Sequence, residues 1–345
     1  MKLLPKLSIK KKIYLGCTIV LLAVLIFVVA THFVYSVNQG RIVGDPFQYI
    51  DTPTDEEIFE LFSKEEICWK FAFWSVMVCE FSYTKEGYPN YNATFAALGF
   101  DTSRFHTYFT RRGEEFDDLM VDAGVRIIES DEREYTLVAI AFRGAIPLEM
   151  NSPTTVQNFR RSLRFLSTPW RESGRVHRGF YAQYNDFLNY VLPEIQSHFD
   201  LDIFDENPSS QIKFWIIGYS MGAALAELFT LELATSGIIP SNIITFGFAA
   251  PNVGNSRLQA YAYELGVTKR IFRINHRRDI VGHLGFGVFF GSSLAAQENT
   301  FFFGSSGLFT INHHSLTRIY LPFIISQNPE PLRSQMEAGL VVEDM

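Results

Sequence analysis

The segment Gly218-Tyr219-Ser220-Met221-Gly222 constrains this chain more than any other, because of what flanks it. Residues 212–217 before it are apolar, β-branched and aromatic, the composition of a buried strand. Residues 223–229 after it are strong helix formers that run on toward Gly237. A strand, a tight turn and a helix push the serine into a strained backbone conformation at the helix N-terminus, with its hydroxyl exposed at the carboxyl end of the sheet. Gly218 and Gly222 stand two residues to either side, where a Cβ would collide across the turn. Backbone N–H groups at the helix start would face a developing oxyanion. With 23 glycines in 345 residues the bare pattern carries little; its place between that strand and that helix makes Ser220 a candidate nucleophile.

The start of the chain is of another kind. Residues 1–12 hold five lysines and no acid, and residues 13–35 carry no formally charged side chain. At about 1.5 Å rise per residue, that apolar run is long enough to cross about 30 Å of hydrocarbon. It exceeds the usual apolar run of a cleaved signal peptide, which favours a retained signal-anchor. Small residues such as Ala30 and Ser36 keep cleavage, and hence secretion, open as the alternative. The flanking lysines would hold residues 1–12 in the cytosol and place the rest in a lumen or outside the cell. Without those five lysines, 25 basic residues face 37 acidic ones, a balance that offers nothing to nucleic acid.

Three cysteines add little. Cys17 falls in the apolar run, and Cys68 and Cys79 would lie about 16 Å apart on a continuous helix, beyond disulfide reach. No zinc-type Cys or His spacing is present, and no metal or organic cofactor is expected. Asn92-Ala93-Thr94 is a usable glycosylation sequon and weak support for a secretory route.

Residues 36–53 read as a linker, residues 54–325 as one catalytic-sized domain, and residues 326–345, with Pro329 and Pro331, as a loose tail. Thr54-Asp55-Glu56-Glu57 is a capping box that should open one long apolar helix reaching about Ser82. Strands are expected at 125–129 and 135–142 around a charged turn, then at 212–218, 242–248 and 270–275. Helices are expected at 180–198, after Ser220, and near 256–265. That alternation predicts an α/β layer with a mostly parallel sheet.

A serine hydroxyl needs a base, and the base an orienting acid; after a nucleophile elbow of this kind they follow in the order acid, then histidine. The only aspartates downstream of Ser220 are Asp279 and Asp344, and Asp344 follows every histidine. Asp279 comes just past a strand, at the carboxyl edge where the acid is needed. His283 is too close to that acid to bridge to the serine. His313 and His314 both precede an apparent final helix, and spacing alone does not separate them.

Several further segments carry a family resemblance. Ala141-Phe142-Arg143-Gly144, Val176-His177-Arg178-Gly179-Phe180, the elbow, Thr245-Phe246-Gly247, Pro251-Asn252-Val253-Gly254-Asn255 and Arg273-Ile274-Asn275-His276 leading to Asp279-Ile280-Val281 together resemble the class 3 lipases, fungal-lipase-like α/β-hydrolases. The resemblance runs from about residue 68 to residue 320. It implies an α/β-hydrolase fold and a Ser-His-Asp triad of Ser220, His314 and Asp279. The family's register, with Leu or Met two residues after the closing histidine, selects His314 over His313. It also implies an oxyanion hole from the N–H groups of Ala145 and Met221.

Two departures stand out: Tyr219 replaces a customary histidine, and Ala145 replaces a customary Ser or Thr whose hydroxyl would add a donor. By the same resemblance, residues 146–174 would form a lid. Within them, residues 156–166 read as a basic amphipathic helix suited to anionic headgroups, or equally as an ordinary surface helix. Seven phenylalanines from Phe286 to Phe309 could line an acyl groove or be sheet core; His106 and His177 read as structural. The expectation is a membrane-anchored carboxylester hydrolase acting on acylglycerols or phospholipids at a lipid interface. An acyltransferase with the same triad and a catalytically weak lipid-binding module remain as alternatives.

Overall fold

A computed structural model describes residues 40–43, 50–82, 90–112, 115–131, 133–144, 167–171, 173–204, 211–283, 291–307, 313–338 and 340–344. The basic flank 1–12, the apolar run 13–35, Ala145 and the amphipathic segment 156–166 all lie outside the described residues. Among the described residues, no helix is long and apolar enough to cross a membrane.

In chain order the chain forms β1 (Gly40–Val43), α1 (Asp55–Ser63), α2 (Trp69–Phe81), α3 (Asn90–Ala97), β2 (Phe105–Arg112), β3 (Glu115–Ser130), β4 (Arg133–Phe142), β5 (Ser167–Trp170) and β6 (Gly174–His177). A continuous helical stretch follows, made of α4 (Arg178–Asp186), a π-helical turn at Phe187–Val191 and α5 (Leu192–Phe199). Then come β7 (Ile212–Tyr219), α6 (Met221–Thr235), β8 (Ile243–Phe248), α7 (Ser256–Glu264), β9 (Ile271–His276) and β10 (Thr300–Phe303). A second π-helical turn at Leu316–Tyr320 runs into α8 (Leu321–Ser326), followed by α9 (Leu332–Ala338) and β11 (Val341–Asp344).

The central sheet has seven strands in the order β10-β9-β8-β7-β4-β3-β2. From β10 to β4 every pairing is parallel; β4–β3 and β3–β2 are antiparallel. This is the mostly parallel α/β architecture that the alternating strands and helices predict. Alternation along each strand assigns its side chains to two cores. On β7, Trp215, Ile217 and Tyr219 pack with α2 and α8, while Phe214 and Ile216 pack with α4, α5 and α6. On β4, Leu137, Ala139 and Ala141 take the first side, and Val138, Ile140 and Phe142 the second. Strands covered on both faces read as unbroken apolar runs, which is why residues 212–217 are legible as a strand.

Three expectations need correction. The capping box at Thr54 forms as expected, with Thr54 Oγ1 accepting from Glu57 N–H and the Glu57 carboxylate from Thr54 N–H. The helix it opens does not reach Ser82, because Lys64 turns extended at φ −98°, ψ 146° and α2 restarts at Trp69. Arg270 explains the stop: its guanidinium donates to the carbonyls of Phe62 and Lys64, which satisfies the helix end that continuation would have satisfied. Second, the 326–345 segment is folded rather than loose. It carries α9, whose Met336 is fully buried, and β11, which pairs antiparallel with β1. Third, for the same reason the 36–53 segment is not only a linker: Gly40–Val43 is a strand.

Candidate active site

The elbow forms where the sequence places it. β7 ends at Tyr219, α6 starts at Met221, and Ser220 between them holds φ 57°, ψ −127°. That conformation is one few residues adopt and costs on the order of 1–3 kcal/mol. Both flanking glycines are dictated by contact. A Cβ on Gly218 would sit 2.4 Å from the Gly222 carbonyl oxygen, and one on Gly222 would sit 2.0 Å from that of Phe142. Ser220 N–H donates to Phe248 O at 2.9 Å, tying the elbow to the neighbouring strand β8.

His314 bridges the serine and the acid. Its Nε2 is 2.8 Å from Ser220 Oγ and its Nδ1 is 2.8 Å from Asp279 Oδ2. Against an ionised carboxylate, the Nδ1 position must carry the proton, which leaves the Nε2 lone pair facing the hydroxyl. Asp279 is fully buried on the segment that follows β9. Its Oδ1 accepts from Val281 N–H at 2.9 Å, and its Oδ2 also accepts from the Tyr320 hydroxyl at 2.6 Å. The Tyr320 hydroxyl in turn accepts from His276 N–H at 3.1 Å.

The other candidates lie elsewhere. His313 points away from the serine and stacks on His276, with ring centroids 4.3 Å apart and planes 16° apart. Burial, with His313 and Arg278 nearby, lowers the His276 imidazole to about 4. His283 is engaged with the Arg277 carbonyl at 3.0 Å. Met221 is the first residue of α6, so its backbone N–H lies at the helix end beside Ser220. Its expected partner Ala145 lies outside the described residues. His177 is the N-cap of α4, its Nδ1 accepting from Gly179 and Phe180 N–H; burial lowers it to about 4. Of the phenylalanine cluster, Phe301, Phe302 and Phe303 form β10, where Phe303 stacks on Phe323 and Phe301 meets Trp69 edge-on. Phe286, Phe289, Phe290 and Phe309 lie outside the described residues.

Sequence reading missed three contributors. Tyr219 lies against His314, and Tyr320 against Asp279; neither has a local signal, because each contact joins segments far apart in the chain. The third is an ion pair beneath the site, Glu227 on α6 with Arg273 on β9 at 3.3 Å, both fully buried. Arg273 also donates to the carbonyls of Ala250 and Pro251 and to Asn252 Oδ1, while Glu227 accepts from Leu294 N–H at 2.9 Å. Burial pushes the Glu227 carboxyl up, and the guanidinium beside it opposes that shift. A signal existed here: an acid, Glu227, within the apolar run of the helix and an arginine in an apolar strand need partners. Among the described residues, no group of three or more His, Cys, Asp or Glu side chains could hold a metal ion.

Comparison with known proteins bears on this arrangement. Residues 139–289, which span β4, the elbow, β8, β9 and Asp279, match the family model described as Lipase (class 3). Over that stretch the chain is similar to the class 3 lipases. Among curated members of wider kinship, it is 27% identical over 179 residues to the chloroplastic phospholipase A1-Iα2 of Arabidopsis thaliana, covering 45% of this chain and 34% of that protein. It is 26% identical over 184 residues to the chloroplastic galactolipase DONGLE of the same plant, covering 47% of this chain and 37% of that one. The chain thus spans about a third of the length of the curated proteins it matches. Among solved structures, a triacylglycerol lipase with a serine-protease triad aligns with TM-score 0.43 and 24% identity over 67% of this chain and 76% of its own. The Rhizomucor miehei lipase in its propeptide complex aligns with TM-score 0.43 and 21% identity over 67% and 63%.

Proposed function

We propose that this protein is a serine carboxylester hydrolase that cleaves acyl esters of glycerolipids. The observation that carries the reading is the His314 imidazole, held at hydrogen-bond distance from both Ser220 Oγ and Asp279 Oδ2. Ser220 Oγ attacks the ester carbonyl carbon while its proton passes to His314 Nε2. The tetrahedral oxyanion rests against the N–H groups of Met221 and Ala145. The carbon–oxygen bond to the alcohol breaks, and the alcohol leaves with the proton from Nε2. Water then attacks the acyl-serine by the same proton route and releases the fatty acid. Asp279, oriented by Tyr320 and Val281 N–H, holds the imidazole and stabilises its charged form.

The match of residues 139–289 to the Lipase (class 3) family model supports lipid ester substrates. The names of the two plant relatives, a phospholipase A1 and a galactolipase, support glycerolipids with polar headgroups alongside simple acylglycerols. The apolar run 13–35 with its lysine flank supports a membrane-anchored protein whose catalytic domain faces a lumen or the exterior.

The test is release of fatty acid from short- and long-chain triacylglycerols, phosphatidylcholine and galactolipid by the full chain in detergent, beside Ser220→Ala. Hydrolysis that falls at least about 10³-fold in the variant is expected, given what loss of a triad nucleophile costs. Equal rates in the two proteins would remove the nucleophile role. Acyl transfer to an added alcohol without free fatty acid would replace hydrolase with acyltransferase.

A further inference from the structure

Tyr219 stands immediately before the nucleophile, and it contacts the base. It is the last residue of β7 and follows the parity of Trp215 and Ile217, so its side chain enters the core between the sheet and the α2–α8 side. There the phenol ring lies under the His314 imidazole, with centroids 4.9 Å apart and planes 24° apart. The same side chain reaches past the ring, and its hydroxyl donates to the His314 backbone carbonyl. Tyr320 meets the Tyr219 ring edge-on, at 6.5 Å and 75°, and donates its own hydroxyl to Asp279.

We propose that Tyr219 is a positioning residue for the base: it fixes His314 at two points, ring plane and backbone, and its π face favours the imidazolium that forms when the serine proton moves. This inference rests on His314 acting as the base. The need for such a clamp is visible in the chain around the histidine. His314 precedes the turn Leu316–Tyr320 and is not itself within a helix or strand. Its ring is held edgewise by Ser220 and Asp279, and two in-plane hydrogen bonds leave rotation about the axis joining them open. A flat aromatic surface against one face closes that freedom.

The hydroxyl anchors the backbone from the strand that also delivers the nucleophile. Base and nucleophile are therefore referenced to adjacent residues of one rigid element, Tyr219 and Ser220. A reacting pair held this way loses little to misalignment, and misplacement by about 1 Å is known to cost on the order of 10²-fold. The ring adds an electrostatic part, because a cation over an aromatic face is favoured where a neutral group gains little.

The experiment separates ring from hydroxyl. Tyr219→Phe keeps the ring and removes the donor; Tyr219→Leu keeps bulk and removes both. Steady-state hydrolysis of a soluble short-chain ester and the rate of Ser220 labelling by a fluorophosphonate are measured for each, with thermal unfolding followed in parallel. The expected result is a kcat reduced about 3- to 10-fold in Tyr219→Phe, the range of one net hydrogen bond, and about 10²-fold in Tyr219→Leu, with KM within twofold in both. Labelling should slow in the same order at temperatures where all three proteins are folded.

Wild-type kcat in both folded variants, or a raised KM at unchanged kcat, would overturn the proposal. If Tyr219→Leu does not fold, Tyr219→Phe decides alone. A wild-type protein that neither hydrolyses the ester nor labels at Ser220 would instead overturn the hydrolase reading underneath, and this inference with it.

Discussion

At the scale of single residues, the site is defined by where rules are broken. Ser220 holds a positive φ that a side chain rarely accepts, and it persists because Gly218 and Gly222 leave room on either side and Phe248 receives its N–H. Beneath it, Glu227 and Arg273 place two charges where none of the surrounding side chains would hydrate them. Such a pair is weak evidence of net stabilisation, but breaking one side strands the other. Glu227→Ala would leave Arg273 charged in the core between α6 and β9. The expected loss is about 3–5 kcal/mol, read as a lowered urea midpoint of unfolding. Glu227→Gln, which still offers an oxygen to Leu294 N–H, should lose less; an unchanged midpoint in both would show that the pair carries no stability.

At the scale of elements, legibility follows the range of the interactions. The elbow strand and helix, the capping box at Thr54 and the strands β8 and β9 are written in local composition and form close to where they are read, while β3 of the β3–β4 hairpin starts at Glu115, well before the expected 125–129. What was misread depends on distant partners. The 54–82 helix is interrupted because Arg270, more than two hundred residues later, occupies the carbonyls at its break. Tyr320 was overlooked because its relation to Asp279 exists only once the π-helical turn packs beside β9. His313 and His314 are indistinguishable by spacing; the fold separates them, setting His314 between Ser220 and Asp279 and stacking His313 on His276.

The C-terminal segment was misjudged on its prolines, although Pro331 stands just ahead of α9, a position helices tolerate. Met336→Ala tests that correction: a fully buried methionine truncated to alanine should cost about 2–5 kcal/mol, read in thermal unfolding of the full chain. A loss below about 0.5 kcal/mol would be the surface value and would return residues 326–345 to a loose tail.

At the scale of the molecule, acid sensitivity follows from buried histidines. His177 and His276 are both lowered to about 4, so the folded protein holds them neutral while the unfolded chain would protonate them near 6.5. Their contribution is present above about 6.5 and is lost as the pH falls toward 4. Glu80, pushed up to about 7 by burial, acts in the opposite sense: its contribution is present below 4.5 and lost as the pH rises through 7. The informative quantity is therefore a difference between proteins. His177→Asn keeps an N-cap acceptor for α4 without a titrating ring. Its melting temperature should fall less than that of the wild type between pH 6.5 and 4.5. Parallel curves would mean that His177 does not couple to acid unfolding.

The pairing of β1 with β11 gives the domain a property that neither strand suggests alone. Gly40 stands opposite Asp344 in the ladder, so the first and last described residues are neighbours, about 5 Å apart. The described chain is thus closed at one short seam. A pull applied between Gly40 and Asp344 would be borne first by the four paired positions of that seam, before any tension reached the strand that carries Ser220.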